Sequence, residues 1–173
     1  MGWLRHLFGD RVPADFEGEL DDGEHVVGSA PVDGGGYLLV TQFGLWIPAE
    51  AGPRRVGWHL VGKAAWADGT FTLTESEEAG VAGKAVLLAD KNPVRFKLPR
   101  PGKVPFLVRQ RVDGSVRERH RKDLGTGGAW FVERKVPGRD GTVLQVRSDP
   151  GTDVEVIKAI AEEAAEKLAN PRG

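Results

Sequence analysis

Short strand-like runs separated by turn signals fill residues 24–99, and they constrain the fold more than any other feature. Asp68-Gly69 and Asn92-Pro93 are turn dipeptides between alternating apolar positions, the usual sign of a hairpin. Because no helical pattern intervenes, an antiparallel sandwich or barrel is predicted. The seven candidate strands are residues 25–32, 36–42, 44–48, 55–66, 70–75, 85–89 and 94–98.

The acidic residues between the fifth and sixth candidate strands predict a loop. Glu75, Glu77 and Glu78 lie close together in residues 75–83, and a solvated hairpin tip explains them better than a catalytic carboxylate pair. The large apolar side chains of the strands should fill the interior. We expect burial of Leu39, Trp46, Leu73, Leu87 and Phe96, and we assign Trp58 and Trp66 to the same core. The alternative is that the tryptophans form an exposed aromatic floor for a peptide or a base.

Helical periodicity begins at about residue 104. Val104, Leu107 and Val108 recur at helical spacing, which predicts a helix over 104–113 that closes one end of the barrel. Residues 117–122 are then a polar connector, and residues 129–136 and 142–149 form a further hairpin. A final helix follows, capped by Thr152 with Glu155 completing a capping box. Its apolar face is formed by Val156, Ile157, Ile160, Ala161, Ala164 and Leu168.

Seven strands followed by an amphipathic helix resemble the pleckstrin-homology-like barrel. The similarity to small bacterial proteins with such a domain lies in residues 37–41, 44–46, 56–60, 65–66 and 70–74. The resemblance implies an α+β fold: a seven-stranded antiparallel barrel or sandwich capped by a helix over 24–115. We expect residues 1–23 to form a short helix at residues 2–8 and an acidic lead-in, and residues 116–173 to add the connector, hairpin and C-terminal helix to the barrel. Members of this superfold mostly bind peptides, proteins or acidic lipid headgroups.

The sequence provides no catalytic or metal motif. It has no cysteine, and none of its four histidines, His6, His25, His59 and His120, has another histidine three or four residues away, the spacing that places two imidazole ligands on one helix face. No serine lies in a Gly-x-Ser-x-Gly motif, and the glycine-rich stretches lack a P-loop ending. We therefore predict a non-enzymatic protein without a metal or cofactor. We also see no signal peptide and no spanning segment, which favours the cytoplasm.

Charge is distributed unevenly although the net charge is −1. Residues 95–122 contain ten Lys or Arg against Asp113 and Glu118, whereas residues 14–33 contain seven acids and no Lys or Arg. Such a separation can steer a partner of opposite charge, or the two segments can neutralise each other in the fold.

The basic stretch provides the candidate binding site. Three arginines alternate along an extended chain, two more lie on the predicted helix, and either Trp130 or Phe131 must face outward. The predicted binding residues are Arg109, Arg111, Arg117, Arg119, Arg121 and Trp130. An acidic protein surface is the favoured partner. The alternatives are nucleic acid, an anionic lipid surface with peripheral membrane contact, a homodimer, a ligand or hydrolytic cavity inside the barrel, and a merely solvated basic face.

Overall fold

The chain forms an α+β structure of eleven strands and two helices in a computed structural model that describes residues 12–125 and 127–170. The predicted N-terminal helix at residues 2–8 lies outside the described residues. The strands are β1 (Val26–Pro31), β2 (Tyr37–Thr41), β3 (Gly44–Ile47), β4 (Arg54–Gly57), β5 (Val61–Ala67), β6 (Thr70–Ala82), β7 (Ala85–Asp90), β8 (Val94–Lys97), β9 (Val116–Asp123), β10 (Gly128–Lys135) and β11 (Thr142–Ser148). The helices are α1 (Val104–Ser115) and α2 (Val154–Ala169).

The chain divides into two compact units. The first comprises the described residues up to Glu75 together with Asn92–Asp113, and the second comprises Ser76–Lys91 and the described residues from Gly114 onward. Strand β6 therefore contributes its first half to one unit and its second half to the other.

The first unit contains the four-stranded antiparallel sheet β1-β2-β3-β4 and an antiparallel pairing of β5 and β8 with the first half of β6. The turn between β5 and β6 is Asp68-Gly69, and both residues have positive φ, at 52° and 73°, as a tight hairpin turn requires. Beyond this turn Phe71 and Leu73 alternate into the core, where Val104 and Val108 of α1 are also buried.

The second unit is a sheet of β9, β10, β11, β7 and the second half of β6, with α2 packed on one face. Strand β11 pairs antiparallel with β10 but parallel with β7, through Gln145 beside Val86 and Val146 beside Leu87. Through β6 the hydrogen-bonded strands form a mixed seven-stranded sheet. The prediction of a purely antiparallel seven-stranded barrel or sandwich was therefore wrong.

Two segments assigned to loops are strands. The acidic residues 75–78 lie within β6, where Ser76 is buried and Glu75 forms an ion pair with Arg54. The predicted polar connector at 117–122 is most of β9, whose alternating charges are accommodated because the strand is exposed. Both errors have one cause: charged side chains were equated with loops, although an exposed strand also carries them.

The core prediction is confirmed for Leu39, Trp46, Leu73 and Phe96, whereas Leu87 is only half-buried. Trp58 is buried in a single 3₁₀ turn that interrupts the predicted strand 55–66, and its indole N–H donates to the Thr41 carbonyl at 2.9 Å. Trp66 is exposed and does not fill the core.

Helix α2 was predicted correctly, but its cap was not. Asp153 is the N-cap, because its carboxylate accepts hydrogen bonds from the backbone N–H groups of Glu155 and Val156. Thr152 is buried and its hydroxyl donates to the Gly128 carbonyl at 3.3 Å.

Candidate functional site: an arginine–tryptophan face on the second unit

Strands β9 and β10 place two arginines and a tryptophan on one face of the sheet. In their antiparallel ladder Arg121 lies opposite Trp130, and Arg119 lies opposite Val132. Side chains of directly opposite residues share a face. We call Arg119, Arg121 and Trp130 the arginine face.

Trp130 faces solvent and Phe131 faces the core, as strand alternation requires. Trp130 is 40% exposed and Phe131 only 7%, and Phe131 packs in the cluster beneath α2. This outcome confirms the expectation that one of the two points outward.

Both arginines of the face lie against the indole ring. The guanidinium carbons of Arg119 and Arg121 are 6.0 Å and 5.7 Å from the centre of the Trp130 ring. Such cation–π contacts hold a flexible side chain near one position, so less conformational entropy is lost when it binds a ligand.

Arg121 is already engaged by acidic side chains of its own chain. It forms a bidentate ion pair with Asp149, in which Nη1 lies 2.8 Å from Oδ1 and Nη2 is hydrogen-bonded to Oδ2. Its Nε lies 3.3 Å from Oδ1 of Asp123. The Asp149 hydrogen bond raises the pKa of Arg121, and the same bond lowers the pKa of Asp149. Arg121 therefore shows that this face can hold a carboxylate in the geometry that guanidinium favours.

Arg119 has no ion pair with an acid among residues 12–125 and 127–170. Arg117 has none in this part of the chain either. The ladder shifts register between Glu133 and Arg134, which leaves Arg117 without an opposite residue on β10. Simple alternation thus places Arg119 and Arg121 together, but Arg117 lies at a bulge beside them, where side-chain direction departs from the strand pattern.

The other two predicted arginines lie on α1. Arg109 is exposed and 3.9 Å from Asp113, and Arg111 is half-buried. They belong to the first unit, whereas the arginine face lies on the second.

Two further arginines of the second unit were missed from the sequence. Arg134 is buried, its Nε donates to the Ser115 hydroxyl at 2.8 Å, and burial, with Arg147 and Arg119 nearby, lowers its pKa to about 10. Arg147 lies opposite Trp130 and binds Ser76 and Asp90. The alternation of residues 130, 132 and 134 was a usable signal for Arg134, but Arg147 could be placed only with the β10–β11 register.

The opposite face of the same strands borders a groove of about 490 Å³. Phe131 and Leu144 line it from the sheet, Ile160 and Leu168 from α2, and His120 from β9, where its Nε2 is 2.9 Å from Glu118. The groove therefore has apolar walls and a charged rim.

The described residues provide no group of three or more acidic or histidine side chains that could hold a metal ion. In the same part of the chain, neither helix has the length and hydrophobicity needed to cross a bilayer. The arginine face can bind carboxylates or phosphates by charge-assisted hydrogen bonds. Comparisons of the chain with protein-family models, curated proteins and solved structures found no match, so the pleckstrin-homology-like resemblance stays a prediction.

Proposed function

We propose that this chain is a non-enzymatic binding module that recognises an acidic protein surface through its arginine face. The observation that carries the proposal is the contrast between two neighbouring arginines on one tryptophan. Arg121 holds the carboxylate of Asp149, whereas Arg119 lies on the same ring with no acid of its own among the described residues. A carboxylate of the partner would pair with Arg119 as Asp149 pairs with Arg121. Within this proposal, the pleckstrin-homology-like resemblance of residues 24–115 stays a prediction, and the binding face lies on the second unit.

Single-stranded nucleic acid is the competing class of partner, since a base could stack on the exposed Trp130 ring. Strands that bind nucleic acid usually present several aromatic platforms for successive bases. In the arginine face Trp130 stands alone, and both arginines already lie against its ring. The acidic protein surface is therefore favoured, and the nucleic acid becomes an outcome of the test.

Replacing Arg117 and Arg119 together with glutamine should weaken binding of an acidic peptide without changing stability. The probe is a fluorescein-labelled peptide of about ten glutamates, followed by anisotropy as salt rises from about 50 to about 200 mM. We expect about tenfold weaker binding, because Arg119 loses its charge contact in the arginine face and Arg117 loses its attraction from the bulge beside it. The melting temperature should stay within about 1 °C, since exposed charges contribute little to folding.

The matched control is the Lys84→Gln/Arg139→Gln variant, which removes two exposed charges from turns of the same unit. It should bind the peptide as the wild type does, apart from a small change in long-range attraction. Equally weakened peptide binding in both variants would show that binding depends on net charge and not on the arginine face. Tighter binding of a single-stranded oligonucleotide than of the peptide would assign the face to nucleic acid instead.

A further inference from the structure

Strand β9 is a free edge of its sheet. It ends the strand order of the second unit, and among residues 12–125 and 127–170 it pairs with β10 alone. All of residues 117–123 are exposed. An edge strand presents unpaired backbone N–H and C=O groups, to which another extended chain can bind by main-chain hydrogen bonds.

The charges of β9 disfavour a second copy of this chain as that partner. Arg117, Arg119, Arg121 and Lys122 outnumber Glu118 and Asp123 along the exposed part of the strand. A copy would bring the same excess of positive charge against the edge, and like charges on neighbouring strands repel. An acidic strand has the complementary charge.

The two faces beside β9 differ in chemistry. One carries the arginine face, and the other borders the groove, whose apolar walls are Phe131, Leu144, Ile160 and Leu168. The rim of this groove on β9 is formed by Glu118, His120, Arg121 and Lys122, so Arg121 borders both faces. Side chains of an added strand would alternate between these faces. Acidic residues at every second position would lie on the arginine side, and apolar residues between them would lie on the groove side.

We propose that the acidic partner binds as an extended segment of alternating acidic and apolar residues, which adds a strand to the outer edge of β9. This inference rests on the proposed function and specifies its geometry. Charge complementarity with the arginine face determines which side of the segment carries the acidic residues. Backbone pairing with β9 requires the segment to be extended.

Two peptides of about eight residues, equal in composition, test the inference. In one, glutamate and valine alternate; in the other, four glutamates precede four valines. We expect the alternating peptide to bind the full-length protein about tenfold more tightly, because only it matches both faces as a strand. Amide hydrogen exchange of the protein should then slow at alternate residues of β9.

N-methylation of the alternating peptide provides the second arm. Methyl groups on the amides that face β9 should abolish binding, whereas methyl groups on the opposite set should have little effect, so the two methylated peptides should differ strongly.

The outcomes separate the mode of binding from the proposed function. Equal affinity of the two composition-matched peptides, without new amide protection in β9, would overturn strand addition and leave an acidic ligand on the arginine face. Failure of both to bind would overturn both proposals. Protection of β9 amides in a dimer of the protein alone would assign the edge to a second copy.

Discussion

Replacing Glu24 with alanine is expected to lower the free energy of unfolding by about 2–4 kcal/mol. The Glu24 side chain is 0% exposed, and its two oxygens accept hydrogen bonds from four groups. The donors are Thr41 Oγ1 at 2.6 Å, Trp46 Nε1 at 2.9 Å, Arg55 Nη1 at 2.6 Å and the Asp21 backbone N–H at 2.9 Å. Alanine would leave buried donors without an acceptor, which costs more than the loss of a solvated hydrogen bond.

The matched control is Glu19→Ala, which removes the same charge from an exposed position nearby in the sequence. Urea denaturation followed by tryptophan fluorescence should show a change within about 0.5 kcal/mol for this control. If the two variants unfold at the same denaturant concentration, the network around Glu24 does not hold the first unit together.

Replacing Ile157 with alanine should destabilise the second unit by about 2–5 kcal/mol. Ile157 is 1% exposed and packs with Phe131, Leu144 and Val146 between α2 and the sheet. Truncation would leave a cavity in a cluster whose other fully buried helix residues, Ala161 and Ala165, are too small to fill it.

Val156 provides the control on the same helix, because it is adjacent to Ile157 but 44% exposed. Val156→Ala should change stability by no more than about 0.5 kcal/mol. Hydrogen exchange of the α2 amides distinguishes the variants, and equal protection in both would contradict the docking of α2 through Ile157.

Local patterns predicted much of this fold. The Asp68-Gly69 turn was evident because this dipeptide readily adopts positive φ, and alternation placed Phe71 and Leu73 inside. The apolar positions of α2 were also visible, although Val156 and Leu168 at its edges are exposed. These features depend on residues close together in the sequence.

Features that depend on distant pairing could not be predicted. The parallel contact of Val146 with Leu87 joins segments about 60 residues apart, and no local pattern encodes it. Thr152 was predicted to cap the helix but is buried instead, because its hydroxyl donates a hydrogen bond to the carbonyl of Gly128 on β10. Of the candidate site, alternation predicted that Arg117, Arg119 and Arg121 share one side of the chain and that either Trp130 or Phe131 faces outward. The position of Trp130 opposite Arg121 required the register of β9 and β10, and the Asp149 contact to Arg121 required the tertiary structure.

If the arginine face binds carboxylates, replacing Asp149 with asparagine should strengthen the binding of an acidic peptide. Asp149 occupies Arg121 within the chain, so it competes with an acidic partner for that guanidinium. A variant that merely damages the fold would weaken binding, whereas relief of competition strengthens it.

The control is Asp140→Asn, which removes an exposed acid from the β10–β11 turn. In anisotropy titrations with the labelled glutamate peptide, we predict two- to fivefold tighter binding for Asp149→Asn than for Asp140→Asn, as about one exposed ion pair would contribute. Equal or weaker binding by Asp149→Asn would contradict carboxylate binding by the arginine face.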